Sequence, residues 1–130
     1  MRTEAVTADM LPALREWWAG RDLGTLPDDV LPPVGFVASD AHGPAAAAWL
    51  YQPAGCRVAI IDWLVTRPGL SLLDGRAACR AVFAALEARA DSDGATRIFA
   101  TVARPGMLRE ARACGFQVAA VAMTHLVKNL

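Results

Sequence analysis

The sequence predicts an α/β (α+β) sandwich, one mixed sheet of about six strands with helices against it. Three observations carry that expectation. Runs with a period of two and apolar stripes with a period near 3.6 both occur, in the order strand, helix, three strands, helix, strand, helix, strand. Short turn-forming stretches separate the three middle strands, so these form an antiparallel meander. The strand, helix and strand over residues 58–102 have the length of a βαβ unit, so its two strands run parallel with a right-handed crossover.

Each element has its own signal. Residues 4–6 make a short first strand. Thr7 or Asp9 offers an N-cap, and Pro12 falls in the first turn, where a missing N–H costs little. Leu11, Leu14 and Trp18 then recur at helical spacing, which predicts a helix over 10–21 with Trp17 and Trp18 anchored in the core. Residues 24–35 hold Pro27, Pro32 and Pro33 with Asp28 and Asp29, a density that excludes a long helix or a central strand. Residues 36–39 and 45–52 read as strands joined by Asp40-Ala41-His42-Gly43. After Pro53-Ala54-Gly55, Val58–Thr66 is branched and apolar enough for a buried central strand.

Ser71-Leu72-Leu73-Asp74 has capping-box spacing, with aspartate in the acidic position. Cys79, Val82, Phe83, Leu86 and Ala90 follow as one apolar stripe, opposite Arg76, Arg80, Glu87 and Asp91. Asp91-Ser92-Asp93-Gly94 ends that helix. Residues 96–102 form the next strand. Pro105–Ala113 forms a short helix closed by Gly115, and residues 117–127 form a long last strand.

Composition removes several classes. A chain of 130 residues fits one domain, 1–130, and buries roughly 65–70% of its unfolded surface. An apolar content of 55% excludes intrinsic disorder. Thirteen basic against thirteen acidic side chains give no net charge, unlike a dedicated nucleic-acid binder or a polybasic membrane-surface protein. No apolar run approaches the ~20 residues of a membrane span, and residues 2–7 carry no signal-peptide core. Cys56, Cys79 and Cys114 are odd in number and far apart, as in a reduced cytoplasmic protein. His42 and His125 are isolated, and no spacing resembles a metal site.

The order of elements, the stretch 58–94 and the step Cys114-Gly115-Phe116-Gln117 together resemble the GNAT superfamily of acyl-CoA-dependent N-acyltransferases. The resemblance covers nearly the whole chain. It implies that the parallel strands ending at Thr66 and Val102 splay. The backbone at Leu64 and Val65 would then meet an extended pantetheine arm in the manner of strand addition. It further implies that the following helix points its N-terminus at a pyrophosphate, with Arg67, Gly75, Arg76, Ala77, Ala78 and Cys79 around it and Arg80 nearby. Leu72 and Leu73 must stay out of the gap for such a site to exist. Acetyl-CoA or another acyl-CoA is the implied cosubstrate, with no metal. The implied acceptor is a small-molecule or peptide amine lying against the 24–35 loop and the meander, and a homodimer is admitted.

The sequence departs from the family pattern in three places. Asp74 stands where the phosphate loop has Arg or Gln. Ala77 and Cys79 stand where it has glycine or a small residue. Ala111 stands where many members carry the tyrosine that protonates the departing thiolate. Asp62, on the cofactor strand, is the candidate general base; the plainer reading is a strand carboxylate that is solvated or paired with an arginine. The expected activity is therefore acyl transfer from acetyl-CoA to an amine by direct attack. The rival is a GNAT-like CoA-binding or protein-interaction module without catalysis.

Overall fold

In the computed structural model, residues 1–21, 27, 29–102, 104–124 and 126–130 are described. Residues 22–26, 28, 103 and 125 lie outside them, among them His125 and four residues of the 24–35 loop. The elements are β1 (Arg2–Ala5), a 3-10 turn (Ala8–Met10), α1 (Leu11–Ala19), β2 (Val34–Asp40), β3 (Gly43–Tyr51), β4 (Val58–Thr66), α2 (Leu72–Ser92), β5 (Arg97–Ala100) and α3 (Pro105–Ala113). They build a five-stranded sheet in the order β1-β2-β3-β4-β5. The first four strands are antiparallel neighbours, and β5 runs parallel to β4.

Each helix covers one face. The α2 stripe of Ala78, Val82, Phe83, Leu86 and Ala90 packs on Ala38, Ala45, Ala46, Ala48, Ala59 and Ile61. Alanines on the sheet let the helix approach closely, and the larger side chains come from the helix. On the other face Leu14, Trp17 and Trp18 of α1 pack with Val37, Ala47, Trp49 and Val65. Trp18 and Trp49 stack with ring centroids 5.2 Å apart. Each fully buried side chain of this size stabilises by about 1.5–3 kcal/mol. The expected core role of Trp17 and Trp18 is therefore the observed one. Neither Thr7 nor Asp9 caps α1, whose N-cap position is Met10 without a side-chain bond.

Two departures from the expected layout matter. Residues 117–127 do not form the sixth strand. The segment carries no strand pairing among its described residues, Val121 and Leu126 are 79% and 91% exposed, and Ala122 sits at φ 57°. Val118, Val121, Met123 and Val127 stay exposed, so little burial offsets the ordering of the chain. β5 is also only four residues long and offers a short edge.

The second departure is inside β4. Between the pairs Ala47↔Val65 and Trp49↔Asp62, β3 advances two residues and β4 advances three. That extra residue is a β-bulge, which bends and twists a strand and re-aims its side chains. Trp63 adopts φ 59°, unusual for a bulky residue. Before the bulge, Ala59 and Ile61 face α2; after it Leu64 does, while Trp63 and Val65 face α1. Alternation then leaves Asp62 on the α1 side, next to Trp63.

Gly35 faces the Trp49 indole so closely that an added Cβ would stand 2.5 Å from Nε1. Gly35→Ala is expected to lower stability by about 1–3 kcal/mol, as overpacking does. A urea melt checks this, and an unchanged midpoint would show that the indole moves freely.

Candidate functional site

The parallel ladder of β4 and β5 runs from Val58↔Arg97 to Ile61↔Ala100 and stops there. β4 continues alone on that side through Asp62–Thr66. Below the opening lies the start of α2. Ser71 is its N-cap, and its hydroxyl accepts the Asp74 N–H at 3.1 Å. The Asp74 carboxylate turns back to Ser71 Oγ at 2.7 Å. The acid standing in the phosphate-loop position is therefore a capping group, and it does not line the cleft. The first helical bond is Gly75 N–H to Ser71 C=O at 2.9 Å, so the amides of Leu72 and Leu73 precede the helix ladder. Leu72 and Leu73 are mostly exposed and leave the gap unfilled.

A cavity of about 320 Å³ occupies this place. Its walls come from the end of α1, the end of β4, the β4–α2 loop, the first two turns of α2, and the start of α3. Arg21, Arg67, Arg76, Arg104 and Arg109 line it, with Glu110 as the acid. Thr66, Gly75, Cys79 and Met107 complete much of the surface.

The arginines are held in different ways. Arg67, expected to face a pyrophosphate, grips Asp40 with both terminal nitrogens, at 2.6 and 3.3 Å, and donates to the Pro44 carbonyl at 2.7 Å. It ties the β2–β3 hairpin to the end of β4. That guanidinium, first of all, holds the Asp40 carboxyl below the usual carboxylate range. Arg21 donates to the Thr66 carbonyl at 2.9 Å and hydroxyl at 2.7 Å. Burial, then the nearby charge of Arg104, pushes its pKa down. Among the described residues no carboxylate pairs with Arg21 or Arg104.

Glu110 is buried between α2 and α3. Arg80 Nε donates to Oε2 at 2.7 Å, Arg76 Nε stands 2.7 Å from Oε1, and Arg109 Nε lies 3.6 Å from Oε1. Burial opposes its charge, but the Arg80 and Arg76 guanidiniums outweigh burial and hold its pKa below the usual glutamate value. Both close contacts use Nε, so the outer nitrogens of Arg76 and Arg80 are not spent on Glu110. One buried acid thus faces three guanidiniums, and two more arginines have no acid among the described residues. The cleft favours an anion.

The remaining expected residues divide. Gly75, Arg76 and Cys79 line the cavity. Leu64 and Val65 lie on the unpaired stretch of β4; Leu64 packs on the α2-side core and Val65 is buried toward α1. Ala77 is exposed on the helix surface, and Ala78 is buried in the core. Asp62 is half-buried at the first β4 position beyond the last β5 pair, and its Oδ1 accepts the Trp63 N–H at 2.7 Å. Ala111 is buried on α3 and offers no proton. Arg21, Arg104, Arg109 and Glu110 come from distant segments that carry no local motif, so the sequence did not single them out. The Arg104-Pro105 helix start was the available signal for one of them.

No protein-family model matches the sequence, and no curated protein matches it. Solved structures do resemble it in fold, over nearly the whole chain: the chain has a GNAT-like fold. An acetyltransferase from Trypanosoma brucei superposes with a TM-score of 0.71 at 18% identity, over 97% of this chain and 99% of that one. Glucosamine-6-phosphate N-acetyltransferase from Arabidopsis thaliana gives 0.67 at 11% identity, over 98% of each chain. An aminoglycoside N-acetyltransferase solved in complex with CoA gives 0.62 at 14% identity, over 98% of this chain and 100% of that one.

Cys79 is buried, and burial followed by the charge of Glu110 raises its thiol to about 11. It is a protonated, unreactive thiol at neutral pH. Alkylation at pH 8 followed by peptide mass mapping is expected to modify the exposed Cys56 and spare Cys79. Equal labelling of both would contradict this geometry.

Proposed function

We propose that this chain is an acyl-CoA-dependent N-acyltransferase, with acetyl-CoA as donor and an amine as acceptor. The observation that carries the reading is a convergence on one cleft. The end of β4 beyond the β5 ladder at Thr66, the start of α2 at Leu72, and arginines with no acid partner among the described residues meet there. An acyl-CoA has the matching chemistry: an amide-bearing arm and a polyanionic end.

In this reading the outer nitrogens of Arg76, with Arg104 and Arg21, face the phosphates. Gly75 gives open space beside them, since a Cβ there would meet nothing. Ala77 and Ala78 contribute no polar group. Arg67 acts through Asp40 by fixing the wall. The arm lies along Leu64 and Val65. The Trp63 N–H is taken by Asp62, and the Val65 N–H faces β3 as the Arg67 N–H does, so the Leu64 N–H is the candidate to polarise the thioester carbonyl. The amine nitrogen attacks that carbonyl carbon, and the carbon–sulfur bond breaks. The ammonium proton passes to Asp62 directly or through water. The second nitrogen proton is lost as the amide forms, and CoA leaves as its thiol.

A second reading, a CoA-binding module without turnover, draws on Ala111, which puts a buried methyl where a proton donor would stand.

Calorimetry with acetyl-CoA and thiol release over an amine panel separate the readings. Binding below about 1 mM with thiol release supports the transferase. Binding without release supports the module, and no binding overturns both. Arg104→Ala is expected to weaken acetyl-CoA binding about tenfold. Asp62→Asn is expected to lower kcat/KM on the order of a hundredfold near pH 7. That deficit should narrow as rising pH deprotonates the free amine. Parallel pH–rate profiles would remove Asp62 from the chemistry.

A further inference from the structure

The face of β3, β4 and β5 opposite α2 holds a row of side chains set by register. Tyr51 of β3 pairs with Ile60 of β4, and Ile60 pairs with Phe99 of β5. Ile98 and Ala100 pack on the α2 side, so Phe99 points to the other face, where it is 51% exposed. One step along β4 on that same face is Asp62.

The polar groups around this row are already committed. The Tyr51 hydroxyl donates to the Val30 carbonyl and accepts Trp63 Nε1–H at 2.7 Å. Those bonds fix both rings. Asp62 Oδ1 takes the Trp63 N–H, and no arginine or lysine among the described residues pairs with its carboxylate. Asp62 is the only acid on β3, β4 and β5. Arg97 lies on the same side of β5 two residues before Phe99, so the far end of the row is positive.

We infer from this juxtaposition that the acceptor is a monocationic primary amine with an apolar, aryl-sized body. Its ammonium sits at Asp62 and its body rests on Ile60 and Phe99. One carboxylate complements one ammonium. A polyamine or aminoglycoside would carry further charges onto apolar surface and toward Arg97, at a desolvation cost that no second acid of β3, β4 or β5 offsets. The half-exposed Phe99 ring is covered when the body docks. This inference rests on the transferase reading above and specifies its acceptor.

The test is steady-state thiol release from acetyl-CoA with 2-phenylethylamine, ethylamine, spermidine, kanamycin and a lysine-containing peptide. The expected result is a kcat/KM for 2-phenylethylamine on the order of tenfold or more above the others. Phe99→Ala should raise the KM for 2-phenylethylamine about tenfold, leaving that for acetyl-CoA unchanged. Phe99→Leu should restore most of the loss, and circular dichroism confirms that both variants fold. Preference for spermidine, kanamycin or the peptide overturns the inference while the transferase reading stands. So does an unchanged KM in folded Phe99→Ala. Failure of acetyl-CoA to bind, or no thiol release with any amine, overturns both together.

Discussion

The structure turns on one extra residue in β4. β3 and β4 must share pairs on both sides of it, so the surplus is thrown into a bulge at Trp63 with φ 59°. A left-handed backbone at a bulky residue costs on the order of 1–3 kcal/mol and persists only where its surroundings over-determine it. Here the indole is pinned by the Tyr51 hydroxyl and the amide by Asp62. The bulge begins where the β5 ladder ends, so β4 keeps β3 as a partner and gains an open side. The cleft and the half-buried carboxylate share that origin.

Charge is organised on the same plan. A net charge of zero hides a local excess. Glu110 is expensive to bury, and guanidiniums from α2 and α3 compensate it. It also crosslinks the two helices under the cleft and orients Arg76 through Nε. With Arg67 tied to Asp40, the charge left for a ligand comes from Arg21, Arg104 and the outer faces of Arg76 and Arg109. Zero net charge excludes a general attraction to polyanions and is compatible with this pocket.

Elements with a strong period could be read from the sequence. The α2 stripe needed only spacing, and the meander needed only its turns. What spacing could not show was competition between partners. Arg67 follows the cofactor strand as a phosphate ligand would, yet Asp40 lies 27 residues earlier and reaches it first. Asp74 is the converse case: it stands at the phosphate-loop position, and its capping-box spacing with Ser71 already marked the partner that holds it. The helical wheel could have separated Ala77 from Ala78, since only Ala78 falls on the stripe with Val82 and Leu86. The 117–127 strand failed because its apolar residues stay exposed, and an apolar run by itself does not say what would cover it. The bulge was not legible, because nothing in Val58–Thr66 marks where β3 falls one residue short.

The missing tyrosine bears on how such a site would work. At Ala111 a methyl group closes α3 against the core, and Cys79, the nearest thiol of the cavity floor, is held protonated near 11. Proton donation to a departing thiolate, the sulfur having an ordinary pKa near 8.5, then falls to water. Loss of a general acid costs typically 10²–10⁴ in rate, whereas positioning of nucleophile and thioester can supply more than that. Under the transferase proposal, catalysis would rest on alignment, and the demand would fall on three parts: the bulge that sets Asp62, the cleft arginines, and the apolar row beside Asp62.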